Sequence, residues 1–409
     1  CDSGKMSARQ PQTPKHLRET DQAAGFEFVE GAARFSQMND IFTRAFWDDR
    51  VRSEDTDAFF ASYRMEAAPR RGDGFSQKDF ALRNASWLIS DMISERSAHD
   101  GEREGFQAPL RAQTPIAPMQ APLGTPELEA DQIKRVAKMF GADLCGITEI
   151  DLRWHYSDRP DLRSMEAVPN ELPEGLTHVI VMGHAMEADL VETYPSALAG
   201  AATGREYSHE AAIVMQMAAY IRNLGFEAVA SMNDTALVIP YAIKAGLGEY
   251  GRNQMVLTPE FGPRLRFSKI FTNMPLAVDG PRDLGIKAYC EGCTICAQAC
   301  PVKALPLGLP DFGEEVSAGS PSTFRAVRKW SSNAESCFGY WAKLKTDCAI
   351  CMRVCPFNRS YTDWRDRLWR WLATGQAGGW GRRLAQKWQH WKGVPARVKP
   401  KDWWRAKGG

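Results

Sequence analysis

Apolar positions change period along the chain and mark out its elements. Between residues 126 and 150, Leu128, Ile133, Val136, Ala137 and Phe140 recur at three- and four-residue steps. They stop at Gly141, which predicts an amphipathic helix with a glycine end. From 177 to 275, short apolar runs alternate with helical patterns. The unbroken run HVIVMGHAM (178–186) predicts a buried strand. Ser208 is placed to cap a helix through EAAIVMQMAAYIRNL that ends at Gly225. EAVASMND (227–234) and the alternating RLRFSKIFTNM (264–274) predict two more strands. The alternation as a whole reads as an α/β pattern. Upstream, QKDFALRNASWLISDMISE (77–95) predicts a helix, and RFSQMNDIFTRAFWDDR (34–50) scatters aromatics among polar residues. APLRAQTPIAPMQAPLGTP (108–126) has Pro or Gly every few positions and reads as a linker or extended wrap.

With 409 residues the chain holds two or three domains at about 150 residues each. Four regions follow: a wrapping region over 1–125, the patterned layer over 126–280, a cysteine module over 281–360 and a Trp-rich basic tail over 361–409. Pro275, Gly280 and Pro281 mark the boundary before the cysteines. Hydrophobic residues at 44% and charged residues at 25% exclude collagen, coiled-coil and disordered classes. A net charge of +1 argues against a globally basic nucleic-acid binder, so no nucleic-acid partner is expected. No apolar run is long enough for a transmembrane helix. The chain starts at Cys1 rather than Met, which reads as processing or trimming. Cys1 as a lipidated N-terminus and Cys1 as a trimming product both stand.

Eight of the ten cysteines fall within residues 290–355. That concentration points to metal ligation, not to a disulfide framework. Cys290, Cys293, Cys296 and Cys300, followed by Pro301, have the spacing C-x2-C-x2-C-x3-C-P of bacterial ferredoxins. Cys337, Cys348, Cys351 and Cys355, followed by Pro356, repeat it with a longer first gap. Three thiolates on a tight loop grip one cubane, and the fourth turns to the other. The assignment is therefore Cys290, Cys293, Cys296 and Cys355 for one [4Fe-4S] cluster, and Cys300, Cys337, Cys348 and Cys351 for the second. Zinc prefers C-x2-C pairs separated by a longer loop, and the C-x3-C-P endings argue against it. Two adjacent clusters relay single electrons, so another part of the chain must use them.

Gly246, Gly248 and Gly251 match G-x-G-x-x-G and are candidate cofactor-binding positions. The segment before them is helix-like near its end and no βαβ crossover follows, so a Rossmann nucleotide site is disfavoured against a plain Gly-rich loop. No D-x-H-x-x-G frame surrounds any of the seven histidines. His184 reads as a pocket residue or, more simply, as a hydrogen-bonded core histidine.

The ordered series EYSHEAAIVMQMAAYIRNLGFEAVASMND, AGLGEYGRNQMVLTPEFGPRLRFSKIFTNMPL and the two cysteine motifs resembles the corrinoid- and iron–sulfur-dependent reductive dehalogenases. RFSQMNDIFTRAFWDD resembles that family's opening, and the resemblance covers about residues 30–360. It implies a mixed α+β or α/β fold: a nitroreductase-like cobalamin-binding domain followed by a bacterial two-[4Fe-4S] ferredoxin-like domain. It implies a base-off corrinoid that, as cob(I)alamin, takes halide from an organohalide with two electrons and a proton. It carries over Tyr207 as proton donor, Arg266 as the cation beside it and Asn233 as a residue of the halide and substrate pocket. A guanidinium favours a phenolate and so eases proton release from Tyr207. Arg264 and Lys269 are the alternative cations.

The same resemblance leaves an epoxyqueuosine reductase-like enzyme as a rival, which would carry an acidic donor where Tyr207 stands. A ferredoxin-type carrier is the non-enzyme rival. With no flavin or nicotinamide domain read, a separate low-potential donor is expected, with a small membrane-anchor subunit as one form of it. In the tail, Trp364, Leu368, Trp371 and Leu372 share one helical face, as do Leu384, Trp388 and Trp391. Such a basic Trp stripe suits either a membrane interface or a cover folded over the clusters. Peripheral attachment at the periplasmic face of the cytoplasmic membrane is the expected location, with the cytoplasm as alternative, and a homodimer is allowed.

Overall fold

The computed structural model describes residues 13–63, 72–99, 114–161 and 163–406. Cys1 and positions 108–113 of the Pro-rich stretch lie outside the described residues. Four helices come first: α1 (Lys15–Ala23), α2 (Ile41–Trp47), α3 (Glu54–Ala61) and α4 (Gln77–His99). Asp40 caps α2, and Ser53 and Thr56 form a reciprocal box at the start of α3. Residues 114–125 run without regular structure along the end of a later helix, where the amides of Ala117 and Ala121 donate to the carbonyls of Arg222 and Leu224. This is the extended wrap that the Pro and Gly spacing predicted.

The patterned layer comprises α5 (Pro126–Phe140), β1 (Leu144–Glu149), β2 (Asp158–Pro160), β3 (Ala167–Pro169), β4 (His178–Ala185), α6 (Ala188–Glu192) and α7 (Ala197–Asn223). It continues with β5 (Ala228–Ser231), α8 (Val238–Lys244), β6 (Glu249–Tyr250), β7 (Val256–Leu257) and β8 (Leu265–Thr272). Thr125 caps α5 and Gly141 ends it at φ 115°, a conformation that only glycine adopts without strain. The strands lie in the order β1-β4-β8-β5, every neighbouring pair antiparallel. The α/β alternation in sequence therefore builds an antiparallel sheet, not parallel crossovers. Ile180, Met182, Ala230 and Ile270 face α7 and α5, while Val179, Val181, Phe267 and Phe271 face Trp154, Tyr241 and Ile243. Both faces are covered, which is why β4 reads as an unbroken apolar run.

Ser208 does not cap a helix. α7 begins at Ala197, capped by Ser196, and Ser208 lies in its middle. There its hydroxyl donates to the Ser86 carbonyl of α4 and accepts from the Ser90 amide. The cap pattern misleads because a small polar residue serves equally well to tie two closely packed helices. A Cβ on Gly204 would fall 2.3 Å from the Trp87 ring, so α4 and α7 approach closely at that point.

The cysteine module carries α9 (Ile286–Gly292), α10 (Ile295–Ala299), α11 (Ala334–Leu344) and α12 (Ile350–Arg353). The tail forms α13 (Trp364–Ala373), α14 (Gly378–Lys392) and α15 (Pro400–Arg405). Trp369, Leu372 and Ala385 are buried in one cluster with Cys290 and Cys355, so the tail covers the cysteine module. Trp364, Leu368, Trp371, Trp380, Leu384 and Trp391 remain exposed on the other side. The N-terminal region also packs on this module, Phe42 and Phe59 meeting Phe338 edge-on. No helix among the described residues is long and apolar enough to cross a membrane.

Candidate functional site

A cavity of about 640 Å³ lies where α3, α4, α7, the loop after β5, β8 and the loop before α11 meet. Tyr207, Asn233 and Arg266 all line it, although they come from the middle of α7, the loop after β5 and the start of β8. Asn233 Nδ2 donates to the Tyr207 hydroxyl at 2.6 Å, and Arg266 Nη2 donates to the same oxygen. The Arg266 guanidinium also lies 4.3 Å from the Tyr207 ring centroid. On the opposite side Trp87 stacks on that ring at 4.9 Å. The structure thus brings the three residues together around one phenol oxygen.

Two N–H donors on one phenol oxygen stabilise it when it carries negative charge. Burial is the larger effect and holds Tyr207 above the ordinary phenol value, with Arg266 and Asn233 pulling the other way. The guanidinium therefore eases release in the expected sense, but does not make Tyr207 a strong acid. The two alternative cations are engaged elsewhere. Arg264 donates to the Met186 carbonyl and to Asn358, and Lys269 to the carbonyls of Met232 and Asp234. The Lys269 bonds hold the loop that aims Asn233, whose carbonyl accepts from the Tyr156 hydroxyl.

His184 is a buried core residue sharing a hydrogen bond with Ser268 Oγ, and burial pulls it down to about 3. Among the described residues lining the cavity there is no histidine. The spaces at Gly246, Gly248 and Gly251 are filled by the chain itself. A Cβ would meet the Gly280 carbonyl, the Leu257 carbonyl and the Leu257 side chain respectively. The glycines thereby allow the tight β6–β7 hairpin, whose Glu249 and Tyr250 line the cavity.

Cys290, Cys293, Cys296 and Cys355 surround one small gap together with Arg252 and Tyr289. Cys348, Cys337 and Cys300 are charge neighbours of Cys351, as is Cys296 of the first group. The first gap gathers the four cysteines that the spacing assigned to one cluster, and none of the eight is disulfide-bonded. Burial pushes up the thiols of Cys290, Cys293, Cys348, Cys351 and Cys355, and those of Cys296 and Cys337 to about 12, so these groups favour thiolates only once cationic iron is bound. Among the described residues no three His, Cys, Asp or Glu side chains close on one point as a single ion requires.

Several residues of the site carried no signal of their own in the sequence. Arg252 is fully buried and donates to the carbonyls of Cys290, Glu291, Cys293, Pro306 and Gly308, binding the first cysteine loop to the β6–β7 hairpin. The only hint was its place directly after the Gly-rich run. Tyr194 places its hydroxyl 3.0 Å from Cys348 Sγ, where it can donate to a thiolate. Asp347 lines the cavity, accepts from the Tyr63 hydroxyl at 2.9 Å and directly precedes Cys348. The second cysteine site therefore adjoins the cavity wall.

Residues 163–276 match the family model described as reductive dehalogenase subunit, and residues 289–358 match that of the 4Fe-4S double cluster binding domain. The tetrachloroethene reductive dehalogenase of Sulfurospirillum multivorans is 33% identical over 253 residues, 56% of this chain and 50% of the relative. That of Dehalobacter restrictus is 34% identical over 276 residues, 58% of this chain and 49% of the relative. An epoxyqueuosine reductase of Lactococcus garvieae is 32% identical over 134 residues, covering 32% of this chain and 34% of the relative. Among solved structures, a catabolic reductive dehalogenase in complex with 3-bromo-4-hydroxybenzoic acid superposes with a TM-score of 0.67 at 20% identity, over 94% of this chain and 49% of that one. Another, described for B12-dependent dehalogenation, gives a TM-score of 0.61 at 21% identity, over 89% of this chain and 46% of that one. These structural likenesses are likenesses of fold. The chain spans about half the length of the curated relatives it matches.

Proposed function

We propose that the chain is a reductive dehalogenase, like the proteins it matches, and that it removes halide from an organohalide, R–X plus two electrons and a proton giving R–H and X⁻. The observation that carries this reading is the cavity wall formed by Tyr207, Asn233, Arg266 and Trp87. Electrons arrive through the two [4Fe-4S] sites, of which the second abuts the cavity at Asp347. The antiparallel α+β layer serves as a nitroreductase-like corrinoid domain, and the cavity is where a base-off corrinoid fits. The aromatic and aliphatic walls at Trp154, Val238, Ile239 and Trp330 suit its faces. When bound and reduced, the corrinoid supplies the electron pair that breaks the carbon–halogen bond.

The chain's own residues do the rest. Apolar walls bind the organohalide and exclude water. Trp87 fixes the plane of the Tyr207 ring. The Tyr207 hydroxyl gives its proton to the carbon that loses halide, and Arg266 and Asn233 hold the resulting phenolate by the two hydrogen bonds they already make. A separate low-potential donor feeds the clusters, with a small membrane-anchor subunit as its candidate. The exposed Trp364, Trp371, Trp380 and Trp391 among Arg and Lys support peripheral docking on the periplasmic face of the cytoplasmic membrane. The test is the purified protein, reconstituted with iron, sulfide and a corrinoid and driven by a reduced low-potential dye. It should hold about eight irons per corrinoid and release halide from an organohalide panel. A fully loaded protein that releases none would overturn the reading.

A further inference from the structure

Two carboxylic acids on α7 have no part in the chemistry above. Glu210 is fully buried, and neither of its carboxyl oxygens has a hydrogen-bond partner. It stands one turn beyond Tyr207. Glu206 stands one turn before Glu210 on the same stripe, a spacing of roughly 5–6 Å between Cβ atoms. Glu206 is 4% exposed and reaches outward. It pairs with Arg205 at 3.1 Å and lies 3.9 Å from His209 Nδ1, and the side chains of Arg205 and His209 are 40% and 53% exposed. The two acids thus form a line along α7 from the surface into the core beside Tyr207.

The groups facing Glu210 are Arg266 and Lys269 from β8, with Glu206 and Tyr207 on its own helix. Arg205 and His209 on α7, Glu187 beside α6 and Asp143 before β1 face Glu206. Burial holds Glu210 up at about 8 and Glu206 up at about 7. Both acids therefore exchange protons near neutrality, unlike an exposed glutamate. An apolar side chain would fill the place of Glu210 without an unpartnered buried carboxyl.

Tyr207 needs such a supply. It is 4% exposed, covered by Trp87, and leaves each turnover as a phenolate. We propose that Glu210 and Glu206 form the path that returns a proton to Tyr207. The phenolate takes the proton of the Glu210 carboxyl group, Glu210 takes one from Glu206, and Glu206 refills from water beside His209. One proton enters from solvent for each one delivered to product, and no electron moves along this path. A side-chain rotation or a water bridge completes each transfer. Glu210 acts only through Tyr207 and is a positioning residue for its proton. The inference rests on the dehalogenation reading, since only that reading has Tyr207 lose a proton.

The test is Glu210→Gln, with Glu206→Gln beside it, in the loaded enzyme. Tyr207 starts protonated, so halide release in the first turnover after mixing should keep its wild-type rate. Later turnovers should slow by about 10²-fold, and the limb of the pH–rate profile near 8 should vanish. Glu206→Gln should slow the same later turnovers. Infrared spectra without substrate should show a protonated-carboxyl band at pH 7 that titrates near 8 in the wild type and is absent in Glu210→Gln. First and later turnovers slowed alike, or no such band in the wild type, would overturn the relay. Wild-type enzyme that shows the band but releases no halide would overturn the dehalogenation reading, and the need for a relay with it.

Discussion

Glu210 shows how one residue ties function to stability. Its folded value, about 8, lies above the 4.5 of an ordinary glutamate. Between those values the folded protein keeps a proton that the unfolded chain gives up. Glu210 therefore favours the fold below about pH 4.5, and that contribution is lost as pH rises to 8. Thermal melts should show stability falling with pH across this window in the wild type, and falling less in Glu210→Gln. A pH dependence identical in the two proteins would contradict this burial. Tyr207, Asn233 and Arg266 were singled out by the family resemblance, and the structure brings all three to one oxygen. Glu210 stands inside one of the same motifs yet gave no sign, because a lone Glu in a helix reads as a solvated face until packing buries it. Arg252 escaped for a similar reason: a buried guanidinium serving backbone carbonyls has no sequence period.

At the scale of elements, α7 does most to build the site. Its opening run ALAGAATG lets α4 close upon it, so that Trp87 reaches the Tyr207 ring. Gly204→Ala would place a methyl group against Trp87. It should destabilise by about 1–3 kcal/mol through overpacking and slow halide release by shifting the ring that fixes Tyr207. Thermal melts and turnover of this single variant check both. The strands β4, β5 and β8 and the α5 helix were legible because burial on defined faces leaves a period, whereas the edge strand β1 was not read. The length of α7 and the antiparallel pairing were not. Pairing direction depends on connections that periodicity does not encode, and small residues at a helix contact resemble a helix start. The cysteine loops depend on Arg252. Arg252→Leu leaves five carbonyls without their donor and should destabilise by roughly 3 kcal/mol or more. Iron analysis should show loss of the cluster at Cys290, Cys293, Cys296 and Cys355 before that of the other.

Across the whole molecule, both ends of the described chain wrap the cysteine module. The tail reading had two outcomes, a membrane-facing stripe or a cover for the clusters, and the helices divide the aromatics between them. Trp369, Leu372 and Ala385 cover the module, and Trp364, Trp371, Trp380 and Trp391 stay outside. Removing the tail would therefore strip the cluster core as well as the surface. The change that isolates the outer face is Trp364→Ser, Trp371→Ser and Trp391→Ser together. This variant should keep its iron and its dye-driven halide release while binding anionic vesicles more weakly; unchanged vesicle binding would remove the docking role from this face. The central claim is that Tyr207 supplies the proton that replaces halide. Its most direct measurement is halide release by Tyr207→Phe beside the wild type, with iron and corrinoid determined on the same samples. Equal cofactor content with turnover lower by about 10²–10⁴-fold is the predicted result. Near wild-type turnover in the fully loaded variant would contradict it.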